Sequence, residues 1–394
     1  MRHHPATSGT RLLVIHDDDL GMAYADHPTD RRRHRLAVAL ANAAGFMDGP
    51  HVEVRAAGDP MPDEQLGTMF APPFIAAMRA YSSVSALAAT PEARQWGITG
   101  DIHPYPRMHH DAARTCGVAW DAGTAVGEGR ARHALSPAGG THHGLANKAG
   151  GFGLYNDTAV AIHALRAAGV ERVAYIDLDT HHGDGTQGIF WNDPNVLTVS
   201  VHESGKFLFP GTGFAVEVGG PDAIGTAVNL AMPLDAGDDA YRRAMAEVVI
   251  PAVRAFAPDA IVTQNGVDHH HADPLSHLRT TMPLYPELWR NLRELADDVC
   301  AGRWAALASG GYDPCNAAPR AWAMLIAEMA GVLVPPDMPA EWPDISRAMS
   351  CDTPASGWLD DDLTPLPRQR ATQVGTEVDA ATSAAVLSAP LLRG

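Results

Sequence analysis

Nowhere does the chain carry the run of about 18 apolar residues that a membrane-spanning helix needs, so no span is expected. The N-terminal stretch Met1 to Thr10 holds His and Arg but no apolar segment, which speaks against a secretory signal there. Cysteine is scarce. Cys116, Cys300, Cys315 and Cys351 form no CxxC pair, and four are too few for a disulfide scaffold in 394 residues. They read as reduced thiols of a cytoplasmic protein. Positive charge is also short: 29 Lys and Arg face 46 Asp and Glu, a formal net charge of -17. So acidic a surface repels phosphate backbones, and direct nucleic-acid binding is not expected. A cationic partner, such as a lysine-bearing protein or a polyamine, is tolerated.

What is present is an ordinary apolar fraction, 46%, sufficient for a sizeable core. Helical periodicity covers Arg32 to Phe46, Pro73 to Tyr81, Asp157 to Ala168, Asp239 to Phe256, Tyr285 to Cys300 and Pro319 to Ala330. Short apolar, β-branched runs lie between: Arg11 to Ile15, Arg172 to Ile176, Asn195 to Val201, Ala260 to Thr263 and Trp304 to Ala308. Buried runs alternating with helices indicate a mostly parallel sheet covered on both faces. Ligands then sit beyond the carboxyl ends of the strands. The His- and Asp-rich segments do follow the apolar runs. Ile176 leads into Asp177-Leu-Asp-Thr-His-His-Gly-Asp, Val262 into Gln264-Asn-Gly-Val-Asp268, and Leu307 into Ser309-Gly-Gly-Tyr312. Residues 11–333 read as one domain. From 334 to 394 the text turns to Pro, Asp, Thr and Ala with weak periodicity, which reads as a partly disordered or loosely packed tail.

Asp177, Asp179 and His181 alternate along a strand end and can project to one side. Asp and His suit a borderline cation, and a catalytic zinc site keeps three protein ligands with room for water. Asp179 and His181 supply two ligands, and Asp268, at another strand end, is the best-placed third. This donor set also suits Fe2+, Mn2+ or Co2+. Gly139-Gly-Thr-His-His-Gly144 places His142 and His143 in a glycine-rich loop, where one can act as general base and the other as donor or orienter. Each needs a carboxylate behind it, and Asp177 and Asp184 are free for that duty. Tyr312, after Gly310-Gly311, can offer its phenol O–H to a developing oxyanion.

Gly139-Gly-Thr-His-His143, Gly151-Phe-Gly-Leu-Tyr-Asn156, Tyr175-Ile-Asp-Leu-Asp-Thr-His-His-Gly-Asp-Gly185, Phe209-Pro-Gly-Thr-Gly213, Gly266-Val-Asp268, Asp273-Pro-Leu275 and Gly310-Gly-Tyr312 follow one another in that order. Together they resemble the histone deacetylase superfamily, from about Leu12 to Ala330, and within it the bacterial acetoin-utilisation branch. Gly211-Thr-Gly-Phe and Gly225-Thr-Ala-Val-Asn-Leu are similar to that branch, and His27-Pro28 with Arg33 to the family's N-terminal motif. The resemblance implies the arginase–deacetylase fold, a single three-layer α/β domain with a central eight-stranded parallel sheet. It implies zinc on Asp179, His181 and Asp268, and His143 as base and acid with His142 as electrostatic partner. Asp177 and Asp184 would back the histidines, and Tyr312 would polarise an acetyl carbonyl. Gly151, Phe152, Phe209, Gly310 and Gly311 would line a narrow tunnel, and Arg33 an internal acetate cavity. A structural potassium ion is implied at Asp177, Asp179, His181, Ser200 and Val201. Departures are Ala308-Ser309 before the two glycines, Thr141, and Gly144. The rim aspartate matches Asp101 only loosely, and His269, His270 and His271 would crowd the rim.

The expected activity is removal of acetyl groups from acetyl-lysine of proteins. The alternatives are a small-molecule amidohydrolase such as an acetylpolyamine hydrolase, and a non-catalytic binding protein. A ureohydrolase of the same fold needs Asp-x-His-x-Asp, whereas Asp179-Thr-His181 continues with His182-Gly183. A binding protein is expected to have lost Tyr312 or a histidine, and neither is lost.

Overall fold

The computed structural model describes residues 10–24, 27–83, 91–98 and 101–360. Its centre is an eight-stranded, all-parallel sheet in the order β2-β1-β3-β8-β7-β4-β5-β6. The strands are β1 (Thr10–Ile15), β2 (Val52–Arg55), β3 (Ala131–Ser136), β4 (Val173–Asp177), β5 (Val196–Glu203), β6 (Ala227–Met232), β7 (Ala260–Gln264) and β8 (Trp304–Leu307). The helices are α1 (Arg32–Ala43), α2 (Asp63–Leu66), α3 (Pro72–Tyr81), α4 (Pro91–Gln95), α5 (Met108–Gly127), α6 (Asp157–Ala167), α7 (Asp184–Ile189), α8 (Asp238–Ala244), α9 (Ile250–Phe256), α10 (Leu284–Cys300), α11 (Ala317–Ala330) and α12 (Trp342–Ala348). None among the described residues is long and apolar enough to cross a membrane.

Strand alternation divides the core. Leu12, Val14, Ala174, Ile176, Ile261 and Ala306 face a cluster completed by α1, α8 to α12. Leu13, Ile15, Val173, Tyr175, Val262 and Ala305 face the other, completed by α2 to α6. Successive residues of a strand point to opposite faces, so a sheet buried on both faces needs apolar residues at nearly every position. The expected helix over Asp239 to Phe256 is broken by a π-turn at Met245–Val249, just before Pro251. Proline has no N–H to donate into the preceding turn, and a widened turn accommodates it. The longest helix, α5, carried no clear periodicity. It is alanine- and glycine-rich and buried on most sides, because it packs tightly on α6. A Cβ on Gly123 would lie 2.5 Å from Ala161 O and 2.8 Å from Ala164 Cβ.

Two expectations are corrected. Residues 334–360 are packed, not loose: Trp342 and Trp358 are buried, and Trp358 lies against Phe46 with ring centroids 5.5 Å apart. Two tryptophans spaced along a Pro-rich stretch anchor it without any periodicity. Residues 361–394 of the expected tail, and residues 1–9, lie outside the described residues. The cysteines are not all thiols. Cys315 and Cys351 are joined, with Cα atoms 5.6 Å apart, while Cys116 and Cys300 are free and buried. The pairing brings together residues 36 apart, a relation only the fold creates.

Candidate metal centre and its flanking acid–base pair

Four adjacent strands deliver the site. Across the sheet Ser136 pairs with Leu307, Leu307 with Gln264, and Gln264 with Asp177. With the ends of β3, β8, β7 and β4 level, the loops that follow them rise together at one rim.

The donor atoms of Asp179, His181 and Asp268 all lie within 4.8 Å of one another, and all three residues are buried. His181 Nδ1 is 3.0 Å from Asp179 Oδ1 and 3.1 Å from Asp268 Oδ2. Burial alone would lower the His181 imidazole, but hydrogen bonds to the two carboxylates, and their charges, raise it to about 10. Asp268 is pushed well above the ordinary carboxylate value, by burial first and then by Asp179. Two carboxylates this close and this buried are costly unless a positive charge sits between them. The residues therefore fit a divalent cation, with two oxygens and one imidazole nitrogen as donors. Gly310 keeps the place open: a Cβ there would collide with Asp179 Oδ2 and come within 2.6 Å of Asp268 Oδ2.

His142 and His143 lie beside this centre, ring centroids 4.0 Å apart, with His143 5.9 Å from His181. His142 Nδ1 is 2.7 Å from Asp177 Oδ2, and His143 Nδ1 is 2.7 Å from Asp184 Oδ1. Burial would lower His142, but the charges of Asp177 and then Asp179 outweigh it and hold it at about 9. Burial, and then the charge of His142, bring His143 down to about 4 against the pull of Asp184. The pair thus shares one proton near neutrality, on His142. Asn156 holds the loop, its Nδ2 donating to His142 O at 3.0 Å and Gly144 O at 2.9 Å. Thr141, a departure from the family pattern, donates its hydroxyl to Asp157 at 2.7 Å.

Tyr312 is partly buried, and its phenol is kept protonated well above its ordinary value by desolvation and then by the charges of Asp179 and Asp268. Phe152 is 5.9 Å from Tyr312, and Phe209 is 5.0 Å from His143, with Phe209 half-exposed. Gly151 has φ +47, and a Cβ there would collide with the His143 ring. Arg33 lies under the Tyr312 ring at 5.4 Å and donates to Ser309 O and to Gly311 O, the latter at 3.2 Å. A cavity extends from here between Arg33, His34, Thr141, Ser309 and Trp322. Ser200 pairs with Asp177 in the sheet, and Val201 is buried next to it. Asp101 is exposed, and its carbonyl accepts from His27 Nε2 at 3.2 Å.

The expected place of His269 and His270 is corrected. They do not crowd the rim. His269 is buried and stacked between Tyr241 and Tyr285 at 4.4 and 5.1 Å, and His270 is buried beside Asp360 at 3.1 Å. Only His271 is substantially exposed among the three. Sequence reasoning gave no role to Gln264, which donates to Asp179 Oδ2 at 2.6 Å, or to Tyr175, whose hydroxyl donates to Asp177 at 2.7 Å. The signal was a buried polar residue closing an apolar strand run, in Gln264 before Gly266 and Tyr175 before Asp177.

Residues 27–329 match the histone deacetylase domain. The chain belongs to the histone deacetylase family. It is 37% identical over 355 residues to acetoin utilization protein AcuC of Bacillus subtilis (strain 168), which covers 88% of this chain and 89% of that protein. It is 32% identical over 349 residues to acetoin utilization protein AcuC of Staphylococcus xylosus, covering 87% and 89%. The fold matches the crystal structure of the HDA15 HD domain with a TM-score of 0.75 at 24% identity, over 97% of this chain and 98% of that one. Like its family, this AcuC-like chain is a metal-dependent deacetylase in class, an amide hydrolase with acetylated substrates.

Proposed function

We propose that this deacetylase removes the acetyl group from acetylated lysine side chains of proteins, with zinc held by Asp179, His181 and Asp268. The observation that carries the reading is the convergence of those three donors beside the His142–His143 pair. When bound, the cation polarises the acetyl carbonyl and makes water acidic enough to attack near neutral pH. His143 has Nδ1 engaged by Asp184, which leaves Nε2 to take a proton from the attacking water and return it to the departing amine nitrogen. His142, holding its proton against Asp177, opposes the negative charge that develops. The Tyr312 O–H donates to the carbonyl oxygen as it gains charge. Phe152 and Phe209 enclose the lysine methylenes and exclude water. Arg33 lines the inner cavity, where its guanidinium would face the released acetate. A potassium ion at Asp177, Asp179, His181, Ser200 and Val201 would brace the ligand loop.

The test sets a fluorogenic acetyl-lysine peptide beside acetylputrescine, with and without a chelator or a hydroxamate, together with metal analysis. Turnover of the peptide, abolished by the chelator and restored by Zn2+, is expected. Faster turnover of acetylputrescine would move the substrate to small cationic amides. Turnover of neither by metal-loaded protein would sink the deacetylase reading.

A further inference from the structure

Asp273-Pro274-Leu275 has no part in the chemistry above, yet it grips the loop whose placement matters most. Tyr312 belongs to no helix or strand and follows two glycines, the second with φ +135. Such a hinge has many backbone conformations, while the phenol is useful only where the carbonyl oxygen sits. The Tyr312 backbone N–H donates to Asp273 Oδ2 at 2.6 Å.

Asp273 is itself fixed. It is buried, 7% exposed. Its Oδ1 accepts from Leu275 N at 2.9 Å, a local turn that sets the side-chain rotamer. Pro274 restricts the backbone of the residue before it. The Asp273 N–H donates to His270 O at 2.9 Å. These constraints leave Oδ2 aimed one way, at Tyr312.

The same turn starts at Asp268, five residues upstream. It is braced throughout: His270 N donates to Val267 O at 3.1 Å, His271 N to Thr280 O at 2.9 Å, and Thr280 N to His269 O at 3.0 Å. A second tie, Val267 N to Gly310 O at 2.8 Å, joins it to the glycine hinge. The metal-ligand carboxylate and the phenol therefore hang from opposite ends of one short, stiff segment.

We propose that Asp273 is a positioning residue for the reaction, its carboxylate setting the distance between Tyr312 and the Asp268 side of the metal centre. The inference rests on the reading of Tyr312 as hydrogen-bond donor to the substrate. A double-mutant cycle on the full, metal-loaded chain tests it, with metal content and Tm measured for each variant. Tyr312→Phe is expected to lower kcat about 100-fold or more. Asp273→Ala is expected to lower kcat about 10- to 100-fold with KM changed less than about threefold. In the Tyr312→Phe background Asp273→Ala should cost less than about threefold more, because the group it places is already gone. Equal cost in both backgrounds would overturn the proposal, since Asp273 would then act on something else. If Asp273→Ala does not fold, Asp273→Asn takes its place in the cycle. It keeps the volume but cannot accept from both N–H groups, and the same two outcomes decide. Near-wild-type turnover of Tyr312→Phe would sink the donor role itself and the proposal with it, which separates the two failures.

Discussion

His142 and His143 are adjacent in sequence and are each backed by a carboxylate oxygen 2.7 Å from Nδ1, yet one sits at about 9 and the other at about 4. Their surroundings differ. Asp177 has no exposed side-chain surface, and His142 also faces Asp179, 3.8 Å away. Asp184 is about a quarter exposed, so water screens its pull, and His143 must also bear the charge of His142. Identical hydrogen bonds thus make unequal bases. The number of facing carboxylates and the access of water decide which imidazole holds the proton.

The comparison can be broken in several places. The largest effect is expected from His143→Ala, a fall in kcat of about a thousandfold, with His142→Ala costing about tenfold less. Steady-state rates that reverse this order would assign the proton-transfer role to the wrong ring. Next come the backing carboxylates. Asp177 also accepts from Tyr175 Oη at 2.7 Å and from Asp179 N at 3.2 Å, so it supports the metal ligand as well as His142. Asp177→Asn should weaken metal binding about 10- to 100-fold, and Asp184→Asn should leave it unchanged while lowering kcat about tenfold. Equal metal affinities in a chelator competition would erase the distinction.

A subtler check is histidine NMR on the metal-free protein, where His142 should keep its proton until about pH 9 and His143 should lose its own near pH 4. The signs for stability follow. His142 lies above its ordinary value, so its contribution is complete below about pH 6.5 and is lost as pH rises through about 9. His143 lies below its ordinary value, so the native state loses stability as pH falls from about 6.5 toward 4. Coincident titrations of the two rings would refute the asymmetry. The smallest effect on catalysis is expected from a dithiol. Opening Cys315–Cys351 releases a cross-link spanning 36 residues, worth about 3–4 kcal/mol in a chain-entropy account. Tm should drop by several degrees, with kcat changed less than about twofold and its pH profile unmoved. A shifted profile would tie the cross-link to the histidine pair.

The sequence shows the site more clearly than the scaffold. Strand ends that run from apolar to His- and Asp-rich text mark Asp177, Asp179, His181, Asp268 and Tyr312 directly, and β1, β4, β5, β7 and β8 announce themselves as buried runs. β2 is short and partly exposed, the runs of β3 and β6 are mixed with polar or small residues, and α5 owes its shape to close packing on α6 rather than to an apolar stripe. His269 and His270 looked like rim residues because a polar loop after a strand usually opens to solvent. Stacking on Tyr241 and Tyr285, and pairing with Asp360, depend on partners far along the chain. The grip of Asp273 on Tyr312 joins residues 39 apart and had no local signature.

The wrapped segment after α11 has a practical meaning for anyone trimming the gene. A polypeptide stopped at Leu333 would bare the Phe46 ring and strip Arg320, 4% exposed, of Asp360 at 3.0 Å and of the carbonyls of Gly357 and Trp358. An orphaned guanidinium under a newly greasy surface favours aggregation over recovery of a smaller enzyme. The minimal soluble catalyst should therefore be cut no earlier than Asp360, about thirty residues past the last residue that the family domain covers.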